Sequence, residues 1–212
     1  MRRLGVIPDL GSLQPGDLLL VSSISPTVIS KAVTKFQKIG GYPEEHARWH
    51  HAAVYLGNDY VCEATATRGI VQTQIYKYLI GAHLLRFRRV PMLNVEQRYQ
   101  LAIMAMTRLG DRYGHANLLN LAGAALEGFW NQNFFSRPKR LVCSELFSEA
   151  YTLVTRRILG SGEVTPAFLS LTSNLDDVKV NWLTICPSLD PERNDIGQST
   201  DRSSVGRLVR SK

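Results

Sequence analysis

Cysteine is scarce and odd in number: Cys62, Cys143 and Cys186 are the three among 212 residues. With no paired spacing between them, they do not form the framework of a disulfide-stapled secreted domain, and a reducing compartment fits best. Long apolar runs are missing too. No stretch approaches the ~18 uncharged residues of a membrane-spanning helix. The opening MRRLGVIPDLGSLQPG has two arginines but no apolar run behind them, so it does not read as a secretory signal and a cytoplasmic location is expected. Glycine (16) and proline (9) are too few for collagen-like or low-complexity chains. Internal repeats, CxxC pairs and HExxH are absent as well, which leaves no strong zinc signature.

Negative charge is in deficit, with 18 acidic against 25 basic residues and a net charge of +7. Such a balance favours anionic surfaces. The basic residues are nevertheless scattered, with short clusters only at Arg86 to Arg89 and Arg137 to Arg140, and no groove-reading module is visible, so nucleic acid is not an expected partner. What remains is globular: 44% apolar residues suffice for one core without metal or disulfide support.

The order of elements reads as α+β. Leu18 to Val21, after the turn Gln14-Pro15-Gly16-Asp17, is a continuous apolar run of buried-strand type. Thr27 to Ile39 repeats apolar positions at helical spacing with lysines on the other face, and Gly40-Gly41 ends it. A polar loop, GGYPEEHARW, follows. His51 to Leu56, the turn Gly57-Asn58-Asp59, and Tyr60 to Ala64 form a hairpin pattern; Ile70 to Tyr76 and His83 to Val90 add two strands. Consecutive strands without intervening helices predict an antiparallel sheet or small barrel.

Val95 to Leu109 is helical by period. The unusually apolar segment from Ala116 to Phe135 reads as a buried or groove-lining helix, and Leu141 to Leu159 as a helix with Leu146, Ala150, Leu153 and Val154 on one face. Val178 to Ile185 reads as a last strand. The expected organisation is an N-terminal extension over 1–11, one domain over 12–186, and a mobile tail over 187–212.

Three polar residues interrupt or begin apolar elements: His51 at the head of a strand, Glu63 near the end of its hairpin partner, and Cys143 at a helix start. Singly each has an ordinary explanation. A lone cysteine in an apolar helix is usually a small buried hydrophobe, and a histidine at a strand edge or a glutamate beside a turn is usually solvated. Together they have the composition of a nucleophile, base and orienter. A thiol is mostly protonated at neutral pH, whereas helix N-terminal N–H groups and a neighbouring imidazolium stabilise the thiolate. The imidazole in turn needs an acceptor that fixes its tautomer.

His50 competes with His51, and a shift of one residue would turn the side chain to the other sheet face. Cys62 alternates with Glu63 and therefore points away if Glu63 faces the site. A metal reading of His46, His50, His51, Cys62 and Glu63 suffers from poor spacing. Neither a metal nor another cofactor is expected.

The segments LQPGDLLL, HAAVYLG, VCEAT, RGIV, VCSELFSEAY and TPAFL resemble the circularly permuted NlpC-like (YiiX/YaeF-like) branch of papain-fold cysteine amidases and peptidases over most of residues 14 to 180. In that branch the histidine strand and its acidic partner precede the cysteine helix, the order found here. The resemblance implies a permuted papain-like α+β fold, Cys143 as nucleophile, His51 as general base and then acid, Glu63 as its orienter, and Tyr113 as an aromatic near the groove. It implies a thiol hydrolase or acyltransferase acting through a thioester on peptide, lipid-linked or acyl-amide substrates. The competing expectation is an inactive papain-like binding module that offers its basic surface to an anionic partner.

Overall fold

A computed structural model describes residues 6–65, 67–80, 83–111, 142–160 and 162–184. The expected Ala116 to Phe135 helix, Tyr113, Cys186 and the tail after 187 lie outside the described residues. Six strands form one sheet: β2 (Leu18–Ser23), β3 (His51–Gly57), β4 (Tyr60–Thr65), β5 (Gly69–Gln74), β6 (His83–Arg89) and β7 (Asp176–Asp177). Their order is β5-β4-β3-β2-β6-β7, with every neighbouring pair antiparallel. A separate two-stranded sheet pairs β1 (Val6–Pro8) with β8 (Trp182–Thr184).

The continuous apolar run of β2 lies at the middle of the sheet and is buried on both faces. Leu18 and Leu20 point to one side, and Leu19 and Val21 to the other. The first side is covered by α4 (Val95–Met106) and α5 (Val142–Thr155), whose Leu101, Ala105, Leu146, Phe147 and Ala150 meet Ala52, Val54, Cys62 and Ala64. On the opposite side Leu19, Val21, Ala53, Tyr55, Val61 and Phe87 pack with Ile75 and Tyr78 of the chain entering α3 (Tyr76–Ile80). Burying a Leu or Phe side chain contributes about 1.5–3 kcal/mol, so these two layers hold the sheet.

Local chemistry sets the element ends. Thr27 caps α1 (Val28–Ile39) by accepting from Ser30 N–H at 3.2 Å, and Asn94 with Gln97 forms a reciprocal capping box at the start of α4. Asn58 and Asp59 adopt φ of 48° and 66°, the left-handed pair of a tight hairpin turn, and so fix the β3–β4 register. Gly16, with φ of 87°, lies where a Cβ would come within 2.7 Å of the Arg98 carbonyl oxygen.

Several observed elements depart from the sequence expectations. Of the two expected forms the sheet is the open one, not a small barrel, among the described residues: β5 and the two-residue β7 are its edges, and β7 is held by ion pairs from Arg86 and Arg88 to Asp177. Residues 6–8 of the anticipated N-terminal extension pair with β8, and of the anticipated strand 178–185 only Trp182–Thr184 is strand among the described residues, with β7 lying just before it. The polar loop contains a single helical turn, α2 (Glu44–Ala47). The chain after Gln74 turns into α3 instead of continuing as strand. The buried stripe of α5 is Leu146, Phe147, Ala150 and Tyr151, whereas Leu153 is half exposed, because adjacent positions share the wide face that both the sheet and α4 cover.

Candidate functional site

His51 opens β3, and its position is set from outside the sheet. Gln37, a fully buried polar residue of α1, donates through Nε2 to the carbonyl oxygens of Ala47 (2.9 Å) and Trp49 (2.8 Å). Its Oε1 accepts from Ala167 N–H of α6 (Pro166–Leu171) at 2.8 Å. One amide thus ties α1, the chain entering β3 and α6 together just ahead of His51, and every polar atom of that side chain is used. His50 N–H then donates to Val21 O at 3.2 Å, which starts the β2–β3 ladder with His51 opposite Val21.

Glu63 stands opposite Ala53 in the β3–β4 pairing. It is therefore a diagonal same-face neighbour of His51, within reach of a ring side chain. The His51 Nε2 to Glu63 Oε2 distance is 2.8 Å. Glu63 is 1% exposed and receives three more donors: Thr73 Oγ1 and Lys77 Nζ on Oε1, and Tyr78 OH on Oε2. Burial pushes this carboxyl up, but hydrogen bonds and charge from His51, with further bonds from Lys77 and Thr73, hold it well below the usual carboxylate range. It is an ionised buried carboxylate with both oxygens occupied.

Cys143 is the second residue of α5 and is half-buried. Its helix is anchored by the neighbouring Ser144, which is fully buried and donates its hydroxyl to Val164 O at 2.6 Å. Cys143 stands beside the His51 side chain, near enough for each to shift the other's titration. Burial pushes the Cys143 thiol up, but the His51 hydrogen bond and charge, with backbone contacts from Ala52 and Ser144, outweigh it and lower the thiol below its ordinary value. For His51, burial works against the charged form, but bonds to Cys143 and then Glu63 raise it to about 9. The Cys143 thiol is thus shifted down and the His51 imidazole up, the directions that favour a thiolate–imidazolium pair, with a carboxylate behind the ring.

The two neighbouring candidates stand in other environments. His50 accepts a hydrogen bond at Nε2 from Ser23 N–H at 2.8 Å, and burial together with the His51 and His83 charges lowers it to about 4. It is a neutral structural acceptor. Cys62 is fully buried on the α4 and α5 side, with its Sγ 3.5 Å from Ala105 O, and burial pushes its thiol up to about 12. Sequence reasoning missed Thr73, Lys77 and Tyr78, which complete the shell around Glu63. Thr73 alternates in β5 with the pattern that brings it opposite Glu63's strand, a usable signal; Lys77 and Tyr78 lie in a helix too short to show a period.

Among the described residues no three His, Cys, Asp or Glu side chains form a group able to hold a metal ion. The donor chemistry gives the reason: the Glu63 oxygens are taken by four hydrogen-bond donors, Cys62 points to the opposite sheet face, and His50 Nε2 is committed to Ser23. Nor is any helix of the described residues long and apolar enough to cross a membrane.

No known family's sequence profile matches this chain, and no curated protein matches it. Among solved structures, the crystal structure of the metalloprotein yiiX from Escherichia coli O157:H7, DUF1105, is similar. The TM-score is 0.51 at 19% identity, over 81% of this chain and 99% of that one. The fold is thus YiiX-like, a mixed α and β arrangement with antiparallel sheets.

Proposed function

We propose that this protein is a thiol hydrolase or acyltransferase that cleaves an amide or ester bond through Cys143, His51 and Glu63, on a permuted papain-like version of the fold. The observation that carries the reading is that one imidazole, His51, bridges the Cys143 thiol and a buried, fully ionised carboxylate. Structural histidines do not need that arrangement, whereas nucleophilic catalysis does.

The Cys143 thiolate adds to the substrate carbonyl carbon, and the electron pair of the C=O bond moves to oxygen. Cys143 N–H, in the first helical turn where backbone donors lack intrahelical partners, is the donor offered to that oxyanion. Collapse of the tetrahedral adduct breaks the bond to the leaving amine or alcohol, which takes its proton from the His51 imidazolium. Neutral His51 then accepts a proton from water or another nucleophile as it attacks the thioester, and Cys143 leaves as thiolate. Glu63 holds the ring in one tautomer throughout and remains ionised. Tyr113 is proposed as an aromatic wall of the substrate groove, and the substrate class is peptide, lipid-linked or acyl-amide.

The metal named for the yiiX protein finds no set of three donors among the described residues here, so no step is assigned to one. The test is intact-mass analysis after incubation with a p-nitrophenyl acyl ester. An acyl adduct that maps to Cys143, is cleared by hydroxylamine and is missing in Cys143→Ala supports the proposal. Absence of the adduct together with thiol reactivity no higher than that of a free cysteine favours the inactive binding module.

A further inference from the structure

Cys143, His51 and Glu63 alone leave the role of α3 open. That five-residue helix turns two consecutive side chains, Lys77 and Tyr78, onto one buried carboxylate. Hydrogen-bond satisfaction does not account for the lysine, because Thr73 Oγ1 already donates to the same oxygen, Oε1, without carrying a charge. An ammonium adds a full positive charge on the carboxylate face opposite the His51 proton. Its side chain is 37% exposed, and it lies 4.7 Å from the centre of the Tyr78 ring, so it also closes Glu63 off from solvent.

We propose that Lys77 is a positioning residue for the thiol–imidazole pair: its charge on Glu63 Oε1 limits how strongly Glu63 Oε2 retains the His51 proton, and so sets the alkaline edge of the reactive state. This rests on the acyl-transfer reading and deepens it. Glu63 stabilises the His51 imidazolium, while Lys77, bound to the other oxygen of the same group, opposes that stabilisation. A proton held too firmly by His51 is a poor donor to a leaving group, because general-acid efficiency peaks when the acid's pKa lies near the working pH.

The groups that face His51 among the described residues are Cys143 from the start of α5, Glu63 from β4, Lys77 and Tyr78 from α3, His83 from β6, and the adjacent His50. His50 is neutral, and His83 is pushed below its ordinary value by burial and by the His51 and Lys77 charges. Tyr78 is pushed up by burial and by Glu63, so it stays a neutral donor. Its ring lies 6.0 Å from that of His51 and limits the tilt of the imidazole. Lys77 therefore supplies the positive charge that these groups do not.

The test is titration of the His51 ring by 15N NMR on the full chain without substrate. The wild-type midpoint is expected near 9. Lys77→Met is expected to raise it by at least ~0.5 pH unit, and Lys77→Arg to restore it. The alkaline limb of Cys143 alkylation by iodoacetate, an anion favoured while His51 is charged, should move with it. Lys77→Gln, which keeps a donor and drops the charge, repeats the measurement should Lys77→Met fold poorly. A midpoint unmoved in a folded, charge-less variant overturns the role of Lys77. A wild-type midpoint near the ordinary 6.5 instead overturns the Cys143–His51 ion pair on which it rests.

Discussion

Two cysteines packed in or against one apolar layer, and two consecutive histidines at its edge, are carried into opposite chemistry. On the side covered by α4 and α5, Cys62 is sealed among Leu18, Val54, Leu101 and Ala105, and its thiol is pushed up to about 12. At the head of β3 Cys143 meets His51 and backbone groups of Ala52 and Ser144, and its thiol is lowered. Consecutive histidines divide in the same manner: His50, held by Ser23 N–H and burial, falls to about 4, while His51, between Cys143 and Glu63, rises to about 9. Residue type alone does not make a reactive group. A partner that stabilises the charged form must outweigh the cost of burial, as happens at only one residue of each pair.

Removal of the reactive members should be the most damaging change. Cys143→Ala and His51→Ala are each expected to lower kcat/KM at least ~10³-fold while leaving the protein folded, as measured by ester turnover and thermal melting. Next in size is Glu63→Gln, which keeps the shape and removes the charge. Turnover should fall by about 10²-fold, and the His51 midpoint should fall toward its ordinary 6.5, opposite in direction to the shift expected for Lys77→Met. If the two variants moved His51 in the same direction, the balance between Glu63 and Lys77 would be wrongly drawn.

The non-reactive members should respond in stability and little in rate. His50→Ala leaves Ser23 N–H without its acceptor and is expected to cost about 1–3 kcal/mol in a denaturant melt, with turnover within a few-fold of wild type. Loss of turnover at His50 with retention at His51 would reverse their assignment. Cys62→Ala, a small cavity in the α4 and α5 layer, should cost about 1 kcal/mol and leave Cys143 labelling unchanged.

The site also carries a pH signature in stability. The raised His51 contributes stability that is full below its ordinary 6.5 and lost as pH climbs through about 9. The depressed Glu63 contributes above its ordinary 4.5 and loses that contribution as the pH falls. The lowered Cys143 thiol acts in the opposite sense, contributing stability that is lost as pH falls, so the two nearly cancel between about pH 6.5 and 9 and urea midpoints should be nearly flat there.

How much of this could be read beforehand follows from how local each contact is. The His51–Glu63 pair lay within one hairpin, and the turn at Gly57-Asn58-Asp59 set its register, so alternation alone put Glu63 and Cys62 on opposite faces. Cys143 reaches His51 only through the packing of α5 on the sheet, which no spacing encodes; its place at a helix start made it a candidate, and its role as nucleophile came from the family resemblance. Gln37 stood among lysines on an amphipathic helix, and nothing marked it as the amide that fixes the approach to β3. Lys77 and Tyr78 lie just past the Ile70 to Tyr76 run read as strand, in a five-residue helix too short to show a period. Between sheet and small barrel the sequence left the choice open because closure depends on what the edge strands meet, and β7 is set by arginine–aspartate pairs instead of an apolar pattern.

The most direct test is alkylation of the folded wild-type chain by iodoacetamide between pH 5 and 9, with the modified cysteine identified by peptide mapping. The account predicts that Cys143 reacts fully at pH 6 to 7, faster than a free thiol with its pKa of ~8.5, and slows in His51→Ala, while Cys62 stays unmodified until the protein unfolds. Cys143 that reacts no faster than a free thiol, or Cys62 modified ahead of it, would contradict the account.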